Sequence, residues 1–117
     1  MKAHFLVVFI LVLNAFPISV ALAANYYISS ATGDDSRSLE EAQNPATPWK
    51  SIAKVNFIFN SLKPGDALLF KRGETFYGSL HLSASGTASS PLKIGEYGSG
   101  VKPILTSFQT IEKWKSL

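Results

Sequence analysis

Hydrolysis of a glycosidic bond generally calls for two carboxylates set across it. Between Lys63 and Tyr97 the carboxylates are Asp66, Glu74 and Glu96. Each sits in or beside a corner of the chain rather than paired on one strand face, so turn and surface roles are expected. A lyase acting on an acidic polysaccharide needs a base and cations to hold a carbanion charge. Lys71, Arg72 and Lys93 have the charge, but as isolated residues they are expected to be solvated and to protect a strand surface. His81 alternates with Leu80 and Leu82, points outward on that pattern, and has no sequence partner to make it a base or a ligand. Asp34, Asp35, Glu40 and Glu41 raise the idea of a calcium loop, yet they lack the alternate-residue spacing such a loop uses. They read as solvated turn residues. Trp49, Phe76, Tyr77, Tyr97 and Trp114 are candidates for stacking on sugar rings, with core packing the stronger expectation for Trp49 and for the Phe76-Tyr77 pair. No Gly-x-Ser-x-Gly elbow, His-Glu-x-x-His motif or phosphate loop occurs. No catalytic residue, cofactor or metal ligand is therefore assigned.

The chain has 117 residues, which bounds it at one domain, and a formal net charge of +3. Past the first two dozen residues the charges nearly balance and no Lys/Arg block occurs, so no basic stripe for nucleic acid is present. There is no cysteine, which excludes a disulfide scaffold and thiolate metal sites. Met1 to Ala23 reads as a secretory signal peptide. Lys2 gives the positive start, Phe5 to Leu13 the apolar run, and Ala21-Leu22-Ala23 the small residues before a cut. The run is short for a membrane-spanning helix. The mature protein is expected to begin at Ala24, to be secreted, periplasmic or on the cell surface, and to have no membrane segment.

The elements that position these residues follow from periodicity. Leu68 and Phe70, Leu80 and Leu82, and Leu92 and Ile94 are apolar pairs at i, i+2, recurring about every twelve residues, and Ile104 continues the interval. Each pair faces one side of a strand. All six are expected in one core, with His81 and Lys93 outward. Gly, Pro, Ser or Asp punctuate each gap. Tyr26 to Ser30 reads as a short strand. A helix is expected from Pro48 to Leu62, capped by Thr47, with Ile52, Val55, Phe59 and Leu62 on its apolar side and Pro64-Gly65 ending it. Such a helix suits a cap over the first coil of a solenoid. Periodicity alone leaves a β-solenoid and an antiparallel β-sandwich both open.

The wording of the stretch favours the solenoid. Lys63-Pro64-Gly65-Asp66, an apolar strand, and Lys71-Arg72-Gly73-Glu74-Thr75-Phe76-Tyr77-Gly78 follow one another, and Ser85-Gly86-Thr87-Ala88, Pro91-Leu92-Lys93-Ile94 and Lys102-Pro103-Ile104-Leu105 come after. This order resembles the opening of right-handed parallel β-helix proteins of the pectate-lyase-like superfamily, over about residues 26 to 106. The resemblance implies a mainly β fold: an N-terminal cap of a short strand and an amphipathic helix, then the first coils of a β-helix, within residues 24–117. It also implies the front of an exported carbohydrate-active enzyme, a polysaccharide lyase or a glycoside hydrolase. The substrate, a polysaccharide, would be met through the parent protein, on middle coils that this stretch does not include. Phe108 to Leu117 reads as a linker into further sequence. Two other readings stay open: a non-catalytic adhesive β-helix and a small carbohydrate-binding β-sandwich.

Overall fold

The computed structural model describes residues 22–108. Residues 1–21, most of the expected signal peptide, and the stretch 109–117 that holds Trp114 and most of the expected linker, lie outside the described residues. Among the described residues there are five strands and one short α-helix: β1 (Asn25–Ile28), α1 (Ile52–Ile58), β2 (Ala67–Lys71), β3 (Thr75–Tyr77), β4 (Lys93–Tyr97) and β5 (Ile104–Thr106). The chain is thus mainly β, as its alternation of apolar and polar residues implies.

Every strand ladder among the described residues is parallel. One sheet runs in the order β1-β2-β4, and a second pairs β3 with β5. Tyr26 stands beside Leu68 and Leu68 beside Ile94, so one face of the first sheet carries an apolar row through three levels. The adjoining row is Ile28, Phe70 and Glu96. In the second sheet Phe76 lies beside Leu105. Hairpin-joined antiparallel strands, which a sandwich would need, do not account for these ladders. The path from β2 to β3 turns at Arg72-Gly73-Glu74. Gly73 has φ +82°, a left-handed conformation that a side chain would strain. Its N–H donates to the carbonyl of Val101 at 2.7 Å, tying this corner to the one a level further along.

The helix begins later than its sequence pattern predicts. Thr47 does not cap it and Pro48 is not its first residue. Trp49 is instead drawn into extended pairing with Ile28: its N–H donates to Tyr27 O (2.9 Å) and its carbonyl accepts from Ser29 N (2.8 Å). Asp35 then holds the backbone N–H groups of Lys50 and Ser51 at 2.8 and 3.0 Å, keeping them out of the helix. Ser51 is the cap, its Oγ accepting from Lys54 N at 3.1 Å. A 3-10 turn, Phe59–Ser61, finishes the element. The apolar side falls where the periodicity places it. Ile52, Val55 and Phe59 are 1% exposed or less and share a core with Ile28, Leu68 and Phe70.

The register is right for β2 and needs correction further along. Leu68 and Phe70 are buried, and His81 and Lys93 are exposed. Leu80 and Leu82 form no strand; the strand between β2 and β4 is β3, several residues earlier. Asn56 holds the backbone here instead, accepting from His81 N and donating to Ser79 O, each at 2.8 Å. Leu80 and Leu92 are half-buried against the core, whereas Leu82 is 66% and Ile94 47% exposed. The reason is position in the stack. Strand β2 has a neighbour on each side, while β4 has one on a single side among the described residues. Facing the interior buries a side chain only where another level covers it.

Candidate functional site

The acidic residues resolve into structural anchors. Asp66 was expected at a turn surface; it is 3% exposed, with its oxygens accepting from Ala24 N (2.9 Å) and Lys63 N (2.8 Å). Glu74 reaches across a corner to Ser30 N (2.8 Å) and Ser29 Oγ (3.1 Å), joining the end of β1 to the start of β3. Glu96 pairs with Arg72, whose guanidinium also donates to Gly100 O at 3.1 Å. Arg72 is thus an ion-pair partner, not the isolated solvated cation that its sequence context suggests. Lys71 is half-buried and Lys93 exposed. Asp34 accepts from Ser36 N and Ser36 Oγ, and these bonds hold its carboxyl below the usual carboxylate range. Among the described residues, no three His, Asp or Glu side chains gather into a metal-binding set.

The aromatic candidates divide by burial. Trp49 is fully buried, stacked on Tyr26 at 5.5 Å, with its indole N–H on Arg37 O at 2.8 Å. Phe76 packs edge-on against Phe70 at 5.0 Å. Tyr97 meets Tyr27 edge-on at 4.9 Å, and burial, then the Glu74 charge, then Tyr27, push its phenol up to about 12. Its hydroxyl is buried without a hydrogen-bond partner. Tyr77 is the exception, 54% exposed beside a shallow hollow of about 210 Å³ that Lys50, Ser51 and Thr75 help to line.

A larger open hollow, about 360 Å³, lies beside β4, the end strand of the first sheet among the described residues. Phe59, Leu82, Ala84, Leu92 and Ile94 line it, with Ser83 and Ser85 between them. It contains no carboxylate, histidine or cation. Ile104 and Leu105 on β5 are also exposed, at 56% and 38%. The chemistry of this surface is apolar contact and strand pairing. No pair of acid and base groups converges on either hollow, so neither can move a proton to or from a sugar as it stands. Sequence reasoning missed Asp66, Asp35 and Glu74 as internal anchors. The pattern Lys63-Pro64-Gly65-Asp66 carries a signal for the first, because an Asp closing such a turn can accept from the turn's own N–H groups.

No protein-family model matches the chain. It is similar to a lacto-N-biosidase of Bifidobacterium longum subsp. longum, 40% identical over 86 residues, covering 70% of this chain and 5% of that protein. It is also similar to crystal structures of a GH136 lacto-N-biosidase from Eubacterium ramulus, in native and selenomethionine forms. Both superpose with a TM-score of 0.59 at 41% identity, over 68% of this chain and 12% of that one. The chain therefore matches a small portion of much longer glycoside hydrolases. These relatives overturn the expected kinship with the pectate-lyase-like superfamily: the proteins matched are lacto-N-biosidases, the one from Eubacterium ramulus of family GH136. The physical reason is that the motifs carrying that resemblance are strand and corner signals. Gly73 and the Lys63–Asp66 turn serve the corners between parallel strands, so they report a way of turning a chain and not a particular family.

Proposed function

We propose that residues 24–117 form the cap and first coils of a parallel β-helix in an exported glycoside hydrolase acting on an oligosaccharide. The stretch supplies scaffold, and the reacting carboxylates belong to other parts of the parent protein. The observation that carries this reading is the 40% identity over 86 residues with a lacto-N-biosidase. That similarity favours hydrolysis over the lyase chemistry that the sequence left open. The wholly parallel ladders support a coiled path, and parallel crossovers are right-handed in about 98% of cases. The anchoring roles of Asp66, Glu74 and Glu96 support the division of labour, since each carboxylate is engaged in holding backbone or Arg72. Export rests on the leader pattern and the Ala21-Leu22-Ala23 site. The test is to assay the purified chain for lacto-N-biosidase activity. It is expected to release no disaccharide; turnover by this chain alone would overturn the scaffold reading.

A further inference from the structure

Asp66 is a buried carboxyl group with no cationic side-chain partner among the described residues. It is 3% exposed, and both of its hydrogen-bond donors are neutral backbone amides, Ala24 N on Oδ1 and Lys63 N on Oδ2. The one ion pair among the described residues is Arg72 with Glu96. An ionised carboxylate taken out of water without a counter-charge is strongly disfavoured. Two amide dipoles meet the Asp66 carboxyl group at the base of β2, and among the described residues no cationic side chain does.

The identity of one donor supplies the answer. Ala24 is the residue that follows Ala21-Leu22-Ala23. It is half-buried and fixed at the head of the β1–β2 ladder, its carbonyl accepting from Ala67 N at 2.9 Å. Leu22 and Ala23, just before it, are exposed. The boundary between exposed and anchored chain thus coincides with the cut that the small residues indicate.

We propose that hydrolysis after Ala23 converts the Ala24 N–H into the protein's α-ammonium group, and that this ammonium closes on Asp66 as a buried ion pair that locks β1 onto the first coil. Water is the co-reactant and a leader peptidase the catalyst. The Ala23–Ala24 amide breaks, the Ala23 carbonyl gains the oxygen and becomes a carboxylate, and the Ala24 nitrogen takes up protons. Nothing is oxidised or reduced. Before the cut, the same nitrogen offers Asp66 a dipole; after it, a full charge at the same 2.9 Å position. The pair rests on the export reading and not on the hydrolase reading.

Few other charges face the site. Tyr26 on β1 feels the Asp66 charge: burial, then Asp66, push its phenol up, a side-chain hydrogen bond with Gln43 opposes them, and Glu40 adds a smaller push. Lys63 and Lys93 meet Asp66 through backbone N–H groups, and both residues are exposed. The carboxylate holds the ammonium in its charged form. The α-amine is therefore raised above its ordinary range of about 7.7–8.0. The lock is fully present below that range and is lost as pH rises through the folded-state value.

The experiment exports the full 117-residue chain with its own leader. N-terminal sequencing and intact mass locate the cut, and the pH dependence of the α-amine is followed by NMR. The expected result is a product starting at Ala24 whose α-amine titrates at least about one unit above the ordinary range, with Asp66→Asn returning it to that range. Because Asp66→Asn also removes the Lys63 contact, a second variant inserts one alanine after Ala23. It keeps Asp66, displaces the ammonium, and is expected to titrate normally while remaining folded. A product cut at Ala24 whose amine titrates in the ordinary range would overturn the ion pair. A product cut elsewhere, or not cut, would overturn it too, and would leave the hydrolase reading standing.

Discussion

Replacing Ile52 probes the joint between helix and coil. Ile52 is 1% exposed, on the first turn of α1, and a Cβ built on Gly78 would lie 3.4 Å from its own Cβ. The side chain therefore sits between the helix and the corner that ends β3. Truncation to alanine removes a buried aliphatic group and leaves a cavity, a loss of about 2–5 kcal/mol. Ile52→Asp adds a desolvated, unpaired carboxylate to that loss. Against a domain stability of about 5–15 kcal/mol, the Asp variant is expected to be largely unfolded and the Ala variant folded but weakened. At about 4–8 °C per kcal/mol for a chain of this size, Ile52→Ala should lower Tm by roughly 10 °C or more. Phe57 is the internal control, on the same helix and 83% exposed. Phe57→Asp should change stability by no more than about 0.5 kcal/mol. The assay is thermal unfolding followed by circular dichroism. Equal melting of Ile52→Asp and Phe57→Asp would refute the packing of α1 on the core through Ile52.

The remaining expectations concern β4 and the edge strands. Tyr97 is pushed up to about 12 chiefly by burial, so the folded state holds the neutral phenol while the unfolded chain ionises near pH 10. Stability should fall as pH rises from about 10 toward 12, and Tyr97→Phe should flatten that fall in urea titrations; an unchanged slope would refute the assignment. On the same strand as Tyr97, Ile94 is exposed, as are Leu82 and Ile104, and among the described residues β4 and β5 each pair on one side alone. Such an edge templates further pairing, so the isolated chain should self-associate by light scattering, and Ile94→Lys should shift it toward monomer. A monodisperse parent chain would count against an uncovered end.

Much of this architecture is legible in the residues themselves. The alternation of Leu68 and Phe70 places β2 and its inward face, the aromatic and β-branched run at Tyr26 places β1, and the 3.6-residue spacing of Ile52, Val55 and Phe59 finds the buried side of α1. These signals are local, and local sequence carries them. What was not legible depends on partners distant in sequence. Thr47-Pro48 is a sound helix start by propensity, but the backbone bonds of Trp49 to Tyr27 and Ser29 draw it into extended pairing. Leu82 and Ile94 have the pattern of core residues and stand exposed, because alternation specifies a face and not whether another level covers it. Asp66 and Glu74 have the composition of turn residues, and only the return of the chain past Ala24 and Ser30 makes them anchors. The same locality explains the mistaken kinship: corner glycines and Pro-Gly-Asp turns report coil geometry, which is shared more widely than any activity. Of the candidate site, the charged residues were legible and their partners were not: Arg72 and Glu96 meet only because β2 and β4 pair in register.

A domain graft tests the central claim most directly. The 86-residue stretch of the Bifidobacterium longum lacto-N-biosidase that matches this chain would be replaced by the corresponding residues of this chain, and lacto-N-biosidase activity measured on the purified chimera. If the stretch is scaffold without reacting groups, the chimera keeps kcat within a few-fold of the parent, the same graft carrying Ile52→Asp loses soluble protein, and this chain alone is inactive. A chimera that is folded and soluble by circular dichroism yet catalytically dead would contradict the account, because this stretch of the parent would then contribute to the chemistry itself.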